Sequence, residues 1–243
     1  MRTRLLGAAC AVTAITAPAF AEPGWSGEGA LAAGFTTGNT ETTDVGIGVE
    51  IHFEGPRYSH HGEVAFDYAE QDGLKSKNRA FAAYQLDRVL TERWFAFGRV
   101  SYEQDEFSGF DSRAFLGAGA GYHVIDNDAT SWTLRAAPGL KIDDVAADAA
   151  AVPPIAGGTE QSFAVEFGSE YAYAFNDAVT LSNDTSIIYA EVSTQMANRV
   201  ALTAQLMDAL SARFSVEVRH ESDPQPGREQ TDTATRFGLV YGF

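Results

Sequence analysis

The chain has 243 residues, of which 21% are charged, and a formal net charge of −16 at pH 7. Such an acidic chain is unsuited to nucleic-acid binding, because contacts with phosphates require an excess of lysine and arginine. The length is that of one domain, and no stretch after residue 21 approaches the ~20 unbroken apolar residues of a transmembrane helix.

The first 21 residues have the features of a cleaved secretory signal peptide. Arg2 and Arg4 precede a short apolar run, and Ala19-Phe-Ala21 matches a small-x-small cleavage site. Cleavage would remove Cys10, so the mature chain would have no disulfide and no cysteine metal site, and its net charge would be −18. We therefore predict a signal peptide at 1–21 and a single exported domain at 22–243.

The mature chain alternates between apolar and polar residues with a period of two, which is the signature of β-strands. In the second predicted strand, for example, Val45, Ile47 and Val49 share one face, while Asp44 and Glu50 lie on the other. Each such segment is about as long as the ~9–11 residues that a tilted strand needs to cross a bilayer. Twelve segments are predicted, at 25–35, 43–53, 58–70, 78–89, 94–104, 113–124, 131–142, 162–175, 178–189, 196–207, 211–221 and 231–243.

The connections between these strands alternate between short turns and mostly longer, polar loops, as in outer-membrane barrels. We therefore predict an all-β fold, a closed antiparallel up-and-down transmembrane β-barrel of about 12 strands in the bacterial outer membrane. A soluble barrel would turn its apolar face inward. The membrane is favoured by aromatic residues that gather on the apolar face at the short-turn end, where ring side chains suit the lipid–water interface. This interface aromatic belt comprises Trp25, Phe53, Tyr58, Trp94, Trp132, Phe175 and Phe243.

Two short motifs carry a family resemblance. Trp25-Ser-Gly27, followed by Thr37-Gly-Asn-Thr40 and an alternating strand, resembles the start of domain-of-unknown-function family 481, which includes the salt-induced outer-membrane proteins. The resemblance implies an outer-membrane barrel without established enzymatic residues, and it suggests an envelope-stress role. Phe243, in phase with the last strand, resembles the C-terminal signal that the barrel assembly machinery reads. We expect no cofactor and a monomer.

The polar face of the predicted strands carries charges that would point into the lumen. The first four strands contribute acidic residues and no basic one, whereas later strands contribute most of the arginines. Either ion pairs fill a narrow lumen and the barrel is structural, or a transverse field lines a small, mildly cation-preferring diffusion pore. The predicted lumen charges are Glu28, Asp44, Glu50, Glu63, Asp67, Asp87, Arg99, Arg113, Arg135, Lys141, Arg199, Arg213, Arg219 and Arg236.

Histidine and serine residues provide weak candidates for chemistry. His60 and His61 are neighbours on a strand, so they point to opposite faces and cannot bind one ion together. With a four-residue turn at 54–57, Glu50 would lie opposite His61. An outer-membrane hydrolase, the third alternative, would need His220 beside Ser222 or Asp223. We predict no catalytic, cofactor-binding or metal-binding residue.

The outward loops are predicted to be acidic. They would face lipid and lipopolysaccharide, where carboxylates can hold bridging Ca²⁺ or Mg²⁺, or they are simply a solvated surface. The residues concerned are Glu41, Asp72, Asp105, Glu106, Asp111, Asp143, Asp144, Asp148, Asp223 and Glu229.

Overall fold

A computed structural model describes residues 24–37, 42–71, 74–149, 151 and 154–243, so the predicted signal peptide lies outside the described residues. Twelve antiparallel strands form one closed barrel, which confirms the predicted fold class. The strands are β1 (Trp25–Thr37), β2 (Thr42–Glu54), β3 (Tyr58–Gln71), β4 (Leu74–Val89), β5 (Trp94–Asp105), β6 (Phe110–Asp126), β7 (Thr130–Val145), β8 (Gly158–Asn176), β9 (Val179–Ala190), β10 (Thr194–Met207), β11 (Leu210–Glu221) and β12 (Thr231–Gly242).

The barrel closes where β1 pairs with β12. Beyond the last residue of β12, Phe243 exchanges two backbone hydrogen bonds with Gly27, each 2.9 Å long. A Cβ on Gly27 would lie 2.7 Å from the Phe243 ring, so the glycine of the Trp25-Ser-Gly27 motif leaves room for that ring. The other motif, Thr37 to Thr40, lies almost entirely outside the described residues.

The side chains of each strand alternate between an apolar outer face and a polar inner face. Leu31, Ile47 and Phe66 lie side by side on β1, β2 and β3, and each is 55% exposed. Asp44, three residues before Ile47, is completely buried. A barrel in water would bury the first group and expose the second. The apolar outer surface is the arrangement that a hydrocarbon solvent stabilises.

Several strands extend further towards the long-loop end than predicted. β4 begins at Leu74, β6 begins at Phe110, and β7 and β8 stay paired as far as Val145 and Gly158. The loop at 146–157 carries an additional bridge between Asp148 and Ile155. Charged residues at these ends are typical of loops, but here Lys77 and Asp143 continue the inward phase of their strands.

Two apolar clusters occupy part of the inner face. Phe95 and Phe97 of β5 pack with Ala137, and Phe115 of β6 packs with Ala164 and Ala190. These rings fill the space beside β6 and β7, where the inner face is formed mainly by glycine and alanine. In the described part of the chain, no helix is long and apolar enough to cross a membrane.

Candidate functional site

The barrel interior contains a cavity of about 940 Å³. Its lining extends from Glu54 and Ser59 at the short-turn end to Ser108 and Arg228 at the long-loop end. The cavity therefore runs along the whole length of the lumen. A second cavity of about 60 Å³ lies between Lys77, Asp232 and Arg236 on the other side of the lumen.

The two cavities are separated by a continuous chain of side chains with alternating charge. At its centre, Arg236 Nη2 lies 2.6 Å from Asp44 Oδ2 and 3.0 Å from Asp67 Oδ1, and Arg79 Nη1 lies 3.2 Å from Asp67 Oδ2. The chain crosses the lumen where Glu103 of β5 accepts from Arg219 of β11 at 3.1 Å. We call it the ion-pair chain, and it consists of Lys77, Asp44, Arg236, Asp67, Arg79, Glu103, Arg219, Glu217 and Arg199.

Other predicted lumen charges pair outside this chain. Arg213 Nη2 donates to Glu28 Oε2 at 2.9 Å, which joins β11 to β1. Arg99 Nε lies 3.2 Å from the buried Glu166 carboxylate. Further pairs are Arg113 with Glu221 at 2.6 Å, Lys141 with Asp143 at 2.6 Å, and Arg135 with Glu170.

Some cavity-lining carboxylates have no such partner. Glu63 and Asp184 line the large cavity, and neither forms an ion pair or a hydrogen bond with another described residue. Glu50 lies directly opposite Glu63 across β2 and β3. Its nearest charged contact is His52 Nε2 at 3.8 Å. These three carboxylates leave negative charge on the cavity wall.

The structure corrects the prediction that the first four strands carry no inward basic residue. Lys77 and Arg79 both lie on the inner face of β4 and bind Asp44 and Asp67. Arg79 and Asp87 are an even number of residues apart on β4, so the alternation places both side chains on the same face. The inward position of Arg79 could therefore have been predicted from the sequence. Lys77 precedes the predicted start of β4 at residue 78.

The predicted pairing of Glu50 with His61 is wrong by two residues. The last pair of β2 and β3 is Glu54 with Ser59, so the turn is centred one residue later than predicted and His52 lies opposite His61. His52 Nδ1 and His61 Nδ1 are 2.8 Å apart, and His61 Nε2 lies 3.0 Å from Asp87 Oδ2. His60 points to the outer face, opposite to that of His61, and contacts the Tyr84 hydroxyl at 2.7 Å.

The candidate hydrolase residues are engaged elsewhere. His220 Nδ1 contacts Thr231 Oγ1 at 3.0 Å, and Ser222 Oγ accepts a hydrogen bond from the Thr194 backbone at 2.8 Å. His220 belongs to the outward phase of β11, in register with Thr231 of β12. Nothing in this geometry orients a serine nucleophile. Among the described residues, no group of three or more potential ligands is arranged to hold a metal ion.

The aromatic belt residues lie at the strand ends that carry the short turns. Trp25 packs against Phe53 with ring centroids 5.0 Å apart, and Trp94 packs against Tyr122 at 4.8 Å. Trp132 is partly buried and donates from Nε1 to Ser169 at 3.1 Å. The exposed members are Trp25, Tyr58, Trp94, Phe175 and Phe243.

The acidic residues of the long-loop end are not all in loops. Asp143 lies within β7 and is buried against Lys141, which corrects its predicted place in a loop, because β7 continues past residue 142. Glu106 is exposed, and hydrogen bonds from Lys75 at 2.7 Å and Asn78 at 3.0 Å lower the pKa of its carboxyl. Glu41 and Asp72 lie outside the described residues.

Solved structures with a similar fold include a porin, a channel and a translocator. The NanC porin has a TM-score of 0.56 and 10% identity, over 88% of this chain and 98% of that chain. The COG4313 outer membrane channel from Pseudomonas putida F1 has a TM-score of 0.53 and 10% identity, over 93% and 99%. The translocator domain of autotransporter NalP from Neisseria meningitidis has a TM-score of 0.52 and 12% identity, over 93% and 90%. At these identities the likeness is one of fold.

Sequence comparison gives the family. The uncharacterized protein YdiY of Escherichia coli K12 is 23% identical over 221 residues, covering 89% of this chain and 83% of that protein. The family model described as "Protein of unknown function, DUF481" matches residues 29–243. The resemblance predicted from the Trp25-Ser-Gly27 and Thr37–Thr40 motifs is thereby confirmed, and the chain belongs to the DUF481 family.

Proposed function

We propose that this protein spans the bacterial outer membrane as a β-barrel and that its lumen is a narrow diffusion pore with a mild preference for small cations. The observation that carries the proposal is the 940 Å³ cavity, whose lining reaches both ends of the barrel. Spread over a bilayer core ~30 Å thick, this volume corresponds to a mean cross-section of about 30 Å². A mean cross-section of that size is enough for water and small ions.

The cation preference follows from the charges on the cavity wall. The lining contains 14 acidic residues and 7 arginines. Most of these arginines are held in ion pairs, whereas Glu63 and Asp184 are unpaired among the described residues. Rings of unpaired carboxylates select cations in other channels by the same electrostatics.

A second candidate function is a structural barrel without conductance. The ion-pair chain favours it, because this chain crosses the lumen from β5 to β11 and ties its walls together. An envelope-stress role, implied by the family resemblance, would belong to this candidate. Partners under both candidates are lipid and lipopolysaccharide on the outer surface, and the barrel assembly machinery for insertion of a monomer, with Phe243 as its recognition residue.

Planar-bilayer recording separates the two candidates. We expect discrete current steps from the purified protein, and a zero-current potential in asymmetric KCl that indicates K⁺ preference. The double variant Glu63→Gln, Asp184→Asn is expected to shift that potential towards zero, while Glu106→Gln, outside the lumen, leaves it unchanged. Absence of current steps at every voltage would favour the structural barrel, and a chloride preference would refute the charge argument.

The proposed membrane orientation has its own test. Ile47 lies near the middle of β2 and points outward. Ile47→Arg would place a guanidinium in hydrocarbon, so we expect a loss of about 2–4 kcal/mol in the free energy of unfolding. Denaturant titration of protein refolded into lipid vesicles measures this loss. Asp208→Arg, in the exposed turn after β10, is the control, and an equally small effect of both variants would contradict the orientation.

A further inference from the structure

We propose that His52 and His61 form a binding site for a divalent transition-metal ion of the copper or nickel type on the wall of the large cavity. The two residues are directly opposed across β2 and β3, and both line the cavity near its short-turn end. Their Nδ1 atoms are 2.8 Å apart. Imidazole nitrogen is a preferred ligand for copper, nickel and zinc.

The spacing of the two nitrogens indicates the coordination geometry. Two nitrogens about 2.0 Å from an ion lie about 2.8 Å apart when they subtend a right angle and about 3.3 Å apart when the angle is tetrahedral. The observed 2.8 Å separation of His52 Nδ1 and His61 Nδ1 matches the right angle. Right-angled nitrogen and oxygen ligands are typical of copper(II) and nickel(II). Because the two Nδ1 atoms share a hydrogen bond, each ring would turn by about 45° to aim its lone pair at a shared ion in a right-angled arrangement.

The far nitrogen of each ring faces a carboxylate. His61 Nε2 lies 3.0 Å from Asp87 Oδ2, and Gln85 Nε2 in turn donates to Asp87 Oδ1 at 2.9 Å. His52 Nε2 lies 3.8 Å from Glu50 Oε2. Metal-binding histidines commonly donate their second ring nitrogen to a carboxylate, which fixes the ring and makes the ligand nitrogen more basic. Asp87 thus holds His61 Nε2 away from the ion, Glu50 lies on the same side of His52, and both Nδ1 atoms are left to bind the ion.

The hydrogen bond between the two rings must be given up when an ion binds. A hydrogen bond between His52 Nδ1 and His61 Nδ1 requires that one of the two carries a hydrogen. An incoming ion would replace that proton, which leaves to the cavity water, as is usual when metals bind histidine. The negative charges of Glu50 and Asp87 offset the added positive charge.

The site is open to a hydrated ion from the cavity. The side chains of His52 and His61 are 38% and 34% exposed. Since no third protein ligand is in place among the described residues, water from the cavity would complete the coordination. The ion would sit on the wall of the passage and narrow it.

Copper binding to the purified full-length protein tests the proposal. Protein prepared without a histidine tag is titrated with Cu²⁺ by calorimetry, and the bound ion is examined by electron paramagnetic resonance. We expect one site per chain, a resonance pattern of two equivalent nitrogens, and loss of this site in both His52→Ala and His61→Ala. His60→Ala, next in sequence but on the outer face, is the matched control and should bind as the wild type does.

Several results would overturn the site. They are an absence of binding by wild-type protein at micromolar Cu²⁺, retention of binding by either histidine variant, or equal loss in His60→Ala. Folding of each variant is checked independently by heat-modifiable migration on gels. Binding is measured without any current, so failure of the pore proposal leaves this test unaffected.

The role of Asp87 as a positioning residue has a separate readout. Asp87→Asn keeps both ligand nitrogens but removes the charge beside His61 Nε2. Loss of such an outer carboxylate typically costs 10–100-fold in metal affinity. We expect the Cu²⁺ affinity to fall by about that factor, while the two-nitrogen resonance pattern is retained. Unchanged affinity would show that the carboxylate does not orient the ring.

Discussion

Asp44→Ala is expected to lower the free energy of unfolding of the barrel by about 3–5 kcal/mol, the typical effect of removing one partner from a buried ion pair. Asp44 is completely buried and accepts hydrogen bonds from Arg236 at 2.6 Å, Lys77 at 3.3 Å and Thr36 at 3.1 Å. Its removal would leave two cations facing each other without the charge between them. The large effect therefore comes from the groups that remain.

The measurement is denaturant unfolding in lipid vesicles, followed by tryptophan fluorescence. Glu106→Ala provides a control, because it breaks an ion pair with Lys75 that is exposed and screened by salt, and no measurable change is expected. Asp44→Asn should fall between the two, since an amide oxygen still accepts hydrogen bonds. If Asp44→Ala and Glu106→Ala destabilise the barrel equally, the ion-pair chain is not a stabilising element.

The strands were predictable from sequence because side chains alternate between the two faces of a strand. Once one residue is assigned to the lumen, the face of every other residue in that strand is fixed. The period-two pattern of β2, for instance, requires Ile47 outside if Asp44 and Glu50 are inside. A slip by one residue would place a charge in lipid, which is why the central part of each of the twelve strands was located correctly. The predicted strand ends were too short because charged residues near them were assigned to loops. Lys77 and Asp143 look like loop residues until their partners in the lumen are known.

The contacts across the lumen could not be predicted in the same way. Arg219 reaches Glu103 on a strand far away in sequence, and that choice depends on barrel diameter and strand stagger. The opposition of His52 and His61 depends on the position of one turn, because displacing that turn by one residue shifts every partner by two and hides the pair. The inward-facing Phe95, Phe97 and Phe115 resemble lipid-facing residues by composition, although their phase is that of the inner face.

Gly34→Ala is expected to prevent closure of the barrel, which is a larger effect than that of Asp44→Ala. A Cβ at this position would overlap the Thr235 carbonyl oxygen and lie 2.8 Å from the Arg236 Cα, both in the backbone of β12. Backbone atoms in a paired strand cannot move aside as a side chain can. The cost should exceed the roughly 1–3 kcal/mol of ordinary overpacking. Since β1 and β12 form the seam of the barrel, a gap there exposes two strand edges to lipid.

Two matched glycines show whether the effect comes from this close approach. On the outer face of β1, a Cβ added to Gly29 would have no atom within 4 Å, and on the inner face of β2, a Cβ added to Gly48 would meet only the Val64 carbonyl oxygen, at 3.9 Å. Gly29→Ala and Gly48→Ala should therefore fold like the wild type. The readout is the fraction of protein that migrates as the compact, heat-modifiable form after refolding into vesicles. A normal folded fraction for Gly34→Ala would mean that β12 can retreat from β1, and that the seam is not closed as tightly as the pairing of Gly34 with Arg236 requires.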